Sequence, residues 1–600
     1  PAMENNGDLD LNCLATGDVQ LDKAIYQWIT WDKNPRTRAQ IEALLLDGQV
    51  EELRRRLCSR MTFGTAGLRA AMGAGFALIN DLTIIQSTQV NNSYVKGIDS
   101  LSYMTSLLAR LTAAVMLCKD IPVFLFSTYV PTPFVPYAVK RLGAAAGVMV
   151  TASHNPKEDN GYKVYWHNGA QISSPNDKEI LKCIEESSEP WSESWNESLA
   201  DNSPLRSDPL REISKKYMED LSSVCFHREL NTKSPLKFVH SSFHGVGHDY
   251  VQQAFRAFGF PPPIPVPEQK DPDPNFSTVS CPNPEEGESV LELSLRLAEK
   301  ENAKIVMATD PDADRLAVAE ENSGCGWKVF TGNELAALLG WWMLFNWKET
   351  HSDPADRERM YMLATTVSSK ILKAFARIEG FHFEETLPGF KWIGKKIHEL
   401  AKTGNEVIFA FEESIGFLCG SMVPDKDGVS AAVVVAEMAS YLYNKNLTLH
   451  QQLENIFETY GYHISTTSYV ICHDPPTVKR IFTRLRTFEG ENTYPRSSGG
   501  HSIVAVRDVT TGYDSSQPDK LCVLPMTKSS QMITFTLQNG IVATLRTSGT
   551  EPKIKFYTEF CAPPGKSDIS SLEEELKKVT DTLVEEFLEP DKNNLIRRSI

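Results

Sequence analysis

The chain has 600 residues, of which 41% are hydrophobic and 23% are charged, an ordinary composition for a globular protein. Its net charge of -16 argues against a general nucleic-acid binder and against a protein that adheres to anionic membranes, although a local basic pocket can still bind an anionic substrate. Because a single core rarely exceeds about 250–300 residues, this length predicts several domains.

Cysteine usage and apolar runs indicate the compartment. The eleven cysteines are scattered and form no C-x-x-C pair, which argues against a zinc knuckle or a thioredoxin-type site and fits a reducing compartment. No apolar run reaches the roughly 18 residues expected of a membrane span. The N-terminus is acidic and polar, without the pattern of a secretory signal. We therefore expect a cytosolic monomer that binds neither nucleic acid nor membranes.

Short apolar runs alternate with helical patterns along most of the chain. An amphipathic segment lies at 21–31, a helical pattern lies at 136–142, and the apolar stretch at 429–442 reads as a buried helix because it is short and contains Glu437. Alternating strands and helices predict α/β layers with mostly parallel or mixed sheets. The predicted strands lie at 123–126, 147–150, 236–240, 304–308, 361–365 and 407–411.

The C-terminal part of the sequence has a different pattern. Before it, the stretch 261–284 is too rich in proline to be helical and is predicted to be an ordered connection. The C-terminal part itself contains β-like runs at 531–537 and 540–546 and then a charged helix at 572–587. This change of pattern indicates a separate C-terminal region.

The first chemical motif follows the apolar run at 147–150 and reads Thr-Ala-Ser-His-Asn-Pro, with Asn-Gly-Tyr-Lys shortly after it. A serine at a strand exit is displayed at the carboxyl edge of the sheet, where α/β folds place ligands. The neighbouring His154 and Lys163 carry groups that transfer protons or balance phosphate charge. The alternative is that Ser153 caps a helix. The length of the whole string favours a functional serine.

The second motif, Thr-Asp-Pro-Asp-Ala-Asp-Arg, lies between two apolar runs. The carboxylates of Asp310, Asp312 and Asp314 are hard oxygen ligands, suited to a divalent cation that keeps a position for a phosphate oxygen. A solvated acidic turn and an EF-hand are the alternatives. The EF-hand is disfavoured because Arg315 occupies the position that requires glycine and the flanks read as strands. The Arg315 guanidinium suits a metal-bound phosphate.

Three further strings carry weaker signals. Arg-Thr-Ser-Gly-Thr-Glu-Pro at 546–552 combines backbone N–H groups with an arginine fork, which suits a phosphate. Phe-Glu-Glu-Ser-Ile-Gly at 411–416 presents carboxylate and hydroxyl groups at a strand exit, which suit sugar hydroxyls. Phe-Gly-Thr-Ala-Gly-Leu-Arg at 63–69 is a glycine-rich turn that ends in arginine. Taken singly, each string also fits an ordinary turn or loop.

These five strings, in this order, resemble the α-D-phosphohexomutase superfamily, and the resemblance covers nearly the whole chain. It implies an α/β fold of four domains around a central active-site cleft, with mixed sheets in the first three domains and a smaller α+β C-terminal domain. The expected domains are a phosphoserine-loop domain at 1–235, a metal-binding domain at 236–350, a sugar-binding domain at 351–470 and a phosphate-binding domain at 471–600.

The resemblance also implies a role for each matched residue, with the serine as a phosphoryl carrier and Mg²⁺ as the cofactor. The expected catalytic residues are Ser153, His154, Lys163 and Arg69. The expected ligands of Mg²⁺ are Ser153, Asp310, Asp312 and Asp314. The expected substrate-binding residues are Arg315, Gly389, Lys391, Glu412, Ser414, Lys426, Arg546, Ser548, Gly549 and Thr550.

Within the superfamily the chain resembles the animal phosphoglucomutase-2 branch. The favoured activity is the synthesis of glucose 1,6-bisphosphate from glucose 1-phosphate, with 1,3-bisphosphoglycerate charging the serine. The stretches at 384–394 and 416–420 resemble the members with that activity, and Pro388 stands where the mutases usually have threonine. The alternatives are a mutase acting on glucose or pentose phosphates and an inactive homologue or isoform.

One interval departs from the family pattern. Members normally have a β-strand that ends in Asp-x-Arg between the helix that follows 83–89 and the helix that contains 108–117. Here the interval lacks that element, so we expect the first domain to miss one strand near 90–105. Losing a central strand would remove a good part of this domain's core. The alternative of an inactive isoform with a disrupted first domain rests on this interval.

Overall fold

The computed structural model describes residues 16–65, 67–90, 98–100, 103–491, 493–528, 530–548 and 552–598. The α-helices in this part of the chain are α1 (Val19–Trp31), α2 (Pro35–Leu46), α3 (Val50–Leu57), α4 (Asp81–Val90), α5 (Tyr103–Leu117), α6 (Phe134–Leu142), α7 (Asn176–Glu186), α8 (Leu199–Asn202), α9 (Leu210–Asp220), α10 (Arg228–Lys233), α11 (Gly247–Ala257), α12 (Glu288–Glu301), α13 (Gly332–Thr350), α14 (Pro354–Arg357), α15 (Ile371–Glu379), α16 (Phe390–Lys402), α17 (Gly428–Asn444), α18 (Leu449–Tyr460), α19 (Pro475–Arg486) and α20 (Ile569–Leu588).

The strands are β1 (Leu68–Ala71), β2 (Ile98–Ser100), β3 (Val123–Phe124), β4 (Ala146–Val150), β5 (Asp159–Trp166), β6 (Arg206–Ser207), β7 (Phe238–Ser241), β8 (Ile264–Pro265), β9 (Ile305–Thr309), β10 (Leu316–Glu321), β11 (Trp327–Val329), β12 (Met360–Thr365), β13 (His382–Thr386), β14 (Glu406–Glu412), β15 (Gly416–Cys419), β16 (His463–Ile471), β17 (Ser497–Ser498), β18 (His501–Asp508), β19 (Tyr513–Asp514), β20 (Met532–Leu537), β21 (Ile541–Thr547), β22 (Lys553–Cys561) and β23 (Ile596–Arg597).

The chain divides into two compact units. The first contains the residues up to Leu316 together with Met422–Val433, and the second contains Ala317–Ser421 and the residues from Val434 onward. Among the described helices, none combines the length and the apolar composition that a membrane crossing requires.

The serine motif leaves the edge of a four-stranded sheet in the first unit, with the order β1-β5-β4-β2. β4 pairs antiparallel with β5 and parallel with β2. Val148 and Val150 of β4 pack into one buried cluster, whereas Met149 packs into another with Val135 and Val139 of α6. Apolar side chains therefore cover β4 on both faces, which explains why it reads as a continuous apolar run.

The parallel strands β7, β8 and β9 of the first unit position the aspartate motif. β7 pairs parallel with both β8 and β9, and all five residues of β9 are buried. Because β9 ends at Thr309, the loop that follows leaves from the carboxyl end of a parallel strand, the edge at which α/β sheets bind ligands. β3 and β6 form a separate parallel pair.

The second unit contains a mixed sheet and an antiparallel one. In the order β13-β12-β14-β15, the strand β12 is parallel to β13 and β14, and β15 returns antiparallel to β14. The C-terminal sheet has the order β17-β18-β20-β21-β22-β16-β23, and its paired strands are antiparallel. α20 packs against this sheet through Phe587, whose ring centroid lies 5.0 Å from that of Phe535.

The predicted α/β pattern is confirmed. Five predicted strands correspond to β4, β7, β9, β12 and β14, and none of their ends is displaced by more than two residues. The sixth, at 123–126, contains only the two-residue strand β3. The predicted C-terminal runs are β20 and β21, the charged helix is α20, and the buried helix is α17.

The short strand β2 lies in the interval expected to lack a family element. Its three residues pair parallel with Val148–Val150 of β4. Residues 91–97 and 101–102 lie outside the described residues, so the missing strand near 90–105 stays a prediction. In the part that is described, β4 has a neighbour on this side of the sheet.

Candidate active site

Ser153 stands just after β4 in a tight turn. Its φ of 58° lies in the left-handed region, which is uncommon for a residue other than glycine. The Thr151 hydroxyl holds its N–H at 2.9 Å. The Ser153 hydroxyl donates to Asp310 Oδ2 at 2.8 Å and lies 3.1 Å from His154 Nδ1. The turn leads into β5, so the alternative of a helix cap at Ser153 is wrong.

The aspartate loop follows β9 and gathers three buried carboxylates. Asp310, Asp312 and Asp314 are each at most 1% exposed, and each offers an oxygen within 4.8 Å of the others. Ala313, with a φ of 56°, turns the chain inside this loop. The flanking segments are the strands β9 and β10, which excludes the helix-flanked EF-hand.

Two of these carboxylates fit a cation because each has one oxygen without a hydrogen-bond partner. The Oδ1 atoms of Asp312 and Asp314 are buried without a hydrogen-bond partner, and a buried acceptor left unpaired costs about 1–3 kcal/mol. Burial, followed by the charges of Asp312 and Asp314, raises the pKa of Asp310. A divalent cation would satisfy the free oxygens and offset the repulsion, so this donor set suits a hard metal ion.

Two lysines lie against the same carboxylates. Lys163 of β5 is fully buried, and its ammonium donates to Asp312 Oδ2 at 2.7 Å and to Asp314 Oδ2 at 3.1 Å. Lys426 Nζ lies 3.6 Å from Asp314 Oδ2. Burial alone would raise the pKa of Asp314, but the charges of Lys163, Lys426 and Arg315 hold it well below its usual range. The lysines therefore keep this carboxylate ionised.

Two arginines and one histidine complete the candidate site in the first unit. Arg69 of β1 donates to Asn155 Oδ1 at 3.1 Å, and Arg315 Nε lies 3.9 Å from Asp314 Oδ1. Burial, and then the charge of Arg315, lowers the pKa of His154 well below its ordinary value. The imidazole is therefore neutral at neutral pH and has a nitrogen lone pair that can accept a proton.

The predicted sugar-binding residues meet at one sheet edge of the second unit. Gly389 adopts a φ of 107° immediately before α16, and Lys391 lies in the first turn of that helix. Glu412 is the last residue of β14 and is 8% exposed, and Ser414 follows it. Because β13 and β14 both run parallel to β12, their carboxyl ends lie at the same edge.

The predicted phosphate-binding residues lie at the end of β21. Arg546 stands opposite Met532 of β20 and Lys555 of β22. The Ser548 N–H donates to the Lys553 carbonyl at 2.9 Å. Gly549 and Thr550 lie outside the described residues, so their roles stay predictions.

Two polar residues at these sites carried no signal in the sequence. Thr132 donates from its hydroxyl to Asp312 Oδ2 at 2.6 Å and from its N–H to the Asp312 carbonyl at 2.8 Å. In the second unit, Glu413 Oε2 accepts from the Ser368 hydroxyl at 3.2 Å. Thr132 lies between two prolines, in a string that matches no catalytic or binding motif. Glu413 directly follows Glu412, and the sequence alone does not show which of the two carboxylates has a role.

The chain matches three successive parts of one family. It matches phosphoglucomutase/phosphomannomutase alpha/beta/alpha domain I over residues 60–191, domain II over 215–326 and domain III over 331–460. The chain therefore belongs to the α-D-phosphohexomutase superfamily of phosphotransferases and mutases. It has the four-domain α/β fold of that family, in which a C-terminal region follows the three alpha/beta/alpha domains.

Individual relatives narrow this placement. The chain is 67% identical to glucose 1,6-bisphosphate synthase from Homo sapiens over 100% of both chains, and 55% identical to phosphopentomutase from Mus musculus over 96% of both. The alignment with the human synthase spans 622 positions against the 600 residues here, so this chain has no residue at about 22 of them. The crystal structure of parafusin (phosphoglucomutase) from Paramecium shares the fold, with a TM-score of 0.65, 17% identity and coverage of 88% of this chain and 96% of that one.

Proposed function

We propose that this chain transfers phosphoryl groups on sugar phosphates through Ser153 and makes glucose 1,6-bisphosphate from glucose 1-phosphate, with 1,3-bisphosphoglycerate as the donor. One observation carries the proposal: the Ser153 hydroxyl is hydrogen-bonded to Asp310, the first of three buried carboxylates that fit a cation. The 67% identity to the human glucose 1,6-bisphosphate synthase over both full chains supports this product.

We propose Mg²⁺ as the cation, held by Ser153 and the three aspartates of the loop. The donors are hard oxygens, which Mg²⁺ prefers while keeping positions for substrate phosphates. When bound there, Mg²⁺ would supply positive charge to the phosphoryl group during transfer. Lys163 and Lys426 hold Asp314 in its ionised form for this purpose. Arg69 and Arg315 supply further positive charge for a phosphate near Ser153.

Transfer takes place in two steps at the serine. In the first, Ser153 Oγ attacks the acyl phosphate of the donor, an Oγ–P bond forms, and the P–O bond to the donor's carboxyl group breaks. The hydroxyl proton has two acceptors within hydrogen-bond distance, Asp310 Oδ2 and His154 Nδ1. In the second step, the 6-hydroxyl oxygen of glucose 1-phosphate attacks the phosphoserine, an O–P bond to the sugar forms, and the Oγ–P bond breaks. The proton lost by the sugar hydroxyl balances the proton that Ser153 Oγ regains.

Residues of the second unit are proposed to bind the sugar and the phosphate that does not react. Glu412, Ser414 and the loop 386–391, which includes Gly389 and Lys391, would bind the sugar hydroxyls. The segment 546–550 would bind the phosphate that does not react. The guanidinium of Arg546 provides a bidentate fork for that phosphate.

The decisive experiment incubates the purified protein and Mg²⁺ with glucose 1-phosphate, with and without 1,3-bisphosphoglycerate. Phosphorus NMR then follows the products. We expect glucose 1,6-bisphosphate to accumulate only when the donor is present. Absence of any bisphosphate in the complete mixture would overturn the proposed activity.

A mutase is the second candidate, because the 55% identical mouse relative is a phosphopentomutase. Conversion of ribose 1-phosphate to ribose 5-phosphate, or of glucose 1-phosphate to glucose 6-phosphate, without bisphosphate release would favour it. The third candidate, an inactive isoform, predicts no turnover of either sugar phosphate. Near-UV circular dichroism would show whether the first domain is folded in that case.

We also propose that the protein works in the cytosol as a monomer. The ten described cysteines are all free thiols, which supports a reducing compartment. Fractionation of cells that express the chain, followed by light scattering on the purified protein, tests both statements.

A further inference from the structure

Glu385 is the penultimate residue of β13, just before the sugar loop 386–391, and it bridges two parts of the second unit. Its Oε1 lies 2.5 Å from Lys370 Nζ and its Oε2 lies 2.8 Å from Arg507 Nη2. Lys370 precedes α15, beside the mixed sheet, whereas Arg507 lies on β18 of the C-terminal sheet. The Lys370 N–H also donates to Glu559 of β22 at 2.7 Å. The carboxylate therefore joins the mixed sheet to the C-terminal sheet.

The bridge is ionised and largely shielded from water. The Glu385 side chain is 15% exposed, and Lys370 and Arg507 are 14% and 23% exposed. Burial alone would raise the pKa of Glu385, but the charges of Lys370 and Arg507 lower it to about 2. Because water screens such a group poorly, removing one partner leaves a charge without compensation.

An apolar cluster continues this connection directly into the sugar loop. Leu387 packs in one buried cluster with Val509, Met532 and Tyr557, which belong to the C-terminal region. Met532 stands opposite Arg546 in the β20–β21 pairing. The loop 386–391 and the strand that carries Arg546 are therefore held by a shared core.

We propose that Glu385 is a positioning residue that fixes the spacing between the sugar loop and Arg546, and thereby selects between hexose and pentose phosphates. The inference rests on the proposed function, in which the loop binds sugar hydroxyls and Arg546 binds the non-reacting phosphate. With the phosphate on carbon 1 held by Arg546, glucose presents a 4-hydroxyl across its six-membered ring from that carbon, whereas the five-membered ring of ribose has no hydroxyl at that position. A fixed spacing discriminates between them, since a misplacement of about 1 Å can cost about 100-fold in rate.

The test substitutes Glu385→Gln, which removes the charge and keeps the shape. For the original chain and for the variant, we measure the phosphorylation of glucose 1-phosphate and of ribose 1-phosphate by 1,3-bisphosphoglycerate. We expect the ratio of the two kcat/KM values to move toward unity by about tenfold or more, mainly through KM for the preferred sugar. A structural role alone would lower kcat/KM equally for both substrates and leave the ratio unchanged.

The adjacent residue provides a matched control. Glu384 also pairs with a lysine, Lys396, at 2.6 Å, but both residues belong to the mixed-sheet region. Glu384→Gln should leave the kcat/KM ratio within about twofold of the original, the spread expected for an exposed ion pair.

A second variant distinguishes the loss of the bridge from a disturbance of β13 itself. Arg507→Gln breaks only the link to the C-terminal sheet and leaves Lys370 paired with Glu385. It should reproduce the change of ratio, and combining it with Glu385→Gln should add little, because the two residues act as one unit. An unchanged ratio in the folded Arg507→Gln protein would overturn the inference. If the unmodified chain phosphorylates neither sugar, the proposed function fails, and the inference fails with it.

Discussion

The Ser153 hydroxyl lies 2.8 Å from Asp310 Oδ2, although the two residues are 157 positions apart. Neither side chain is more than 4% exposed. A phosphate on this serine would therefore be placed beside carboxylates and away from bulk water. Such an arrangement is unfavourable unless a cation and the nearby basic residues balance the charge.

The serine is the first residue to test. Ser153→Ala removes the only atom proposed to carry the phosphoryl group, and the small side chain still fits the turn after β4. After incubation with 1,3-bisphosphoglycerate, intact-mass analysis should find one added phosphate on the unmodified chain and none on the variant. A phosphate retained by Ser153→Ala would assign the carrier to another residue.

The aspartate loop should be indispensable for transfer. Asp312→Asn keeps the size of the side chain but removes a charged oxygen ligand of the proposed metal, while Lys163 keeps its contact with Asp314. Loss of metal stabilisation worth several kcal/mol corresponds to a rate at least about 100-fold lower. Initial rates over a Mg²⁺ series measure the effect, with circular dichroism as the check on folding. Undiminished activity in a chelator would refute the metal role.

Thr132 should tune metal binding without touching substrate. Thr132→Val keeps the shape and removes the hydroxyl that donates to Asp312 Oδ2. Loss of such a partner of a metal ligand typically weakens metal affinity about 10- to 100-fold. The Mg²⁺ concentration for half-maximal activity should rise accordingly. Thr112→Val is the matched control, because Thr112 is equally buried but bonds only to a helix carbonyl.

Glu320 should make stability depend on pH. Its carboxylate accepts from the N–H groups of Leu449 and His450 at the start of α18, and burial raises its pKa to about 7. The unfolded chain has an ordinary glutamate pKa of about 4.3. Between these values the folded protein binds the extra proton, so this contribution to stability is present below about pH 4 and is lost as pH rises through 7.

Glu320→Gln should remove that dependence. The amide keeps the shape and one acceptor oxygen, but it does not ionise. Thermal midpoints of both proteins are measured from pH 5 to 8, and the variant should gain relative to the original chain as pH rises, by at most about 3 kcal/mol. Parallel curves for the two proteins would mean that the carboxyl titrates with its ordinary pKa.

Pro388 should influence the fate of the bisphosphate. It stands in the sugar loop between Leu387 and Gly389, supplies no hydroxyl and fixes its own φ. Pro388→Thr would restore a hydroxyl and tighten the grip on the intermediate. The bisphosphate released per mutase event should therefore fall, as measured by product ratios in a single reaction. A constant ratio would assign the preference to contacts outside this loop.

Much of the fold could be predicted because its central strands are buried on both faces. β4, β9 and β14 read as apolar runs, and each is followed by a polar motif at its carboxyl end. Local sequence therefore located both the strands and the loops that carry the candidate chemistry. The expected domain boundaries stay predictions, although the three family matches at 60–191, 215–326 and 331–460 follow the same order.

The contacts between distant segments could not be predicted. Thr132 and Asp312 are 180 positions apart, and nothing in either local sequence specifies their hydrogen bond. The bridge from Glu385 to Arg507 likewise depends on how β13 and β18 pack, which no periodicity encodes. A single sequence identifies the residues with suitable chemistry but not their partners in the folded chain.

The core shared by Leu387 and Met532 has a consequence for protein engineering. Loops at sheet edges are often treated as cassettes that can be exchanged between relatives to transfer specificity. Here the sugar loop packs partly against β20 and the segment after β18. A loop grafted from a relative would therefore pack against side chains to which it is not matched. A chimera with the loop of a pentose-specific relative should therefore also receive the matching positions 509, 532 and 557.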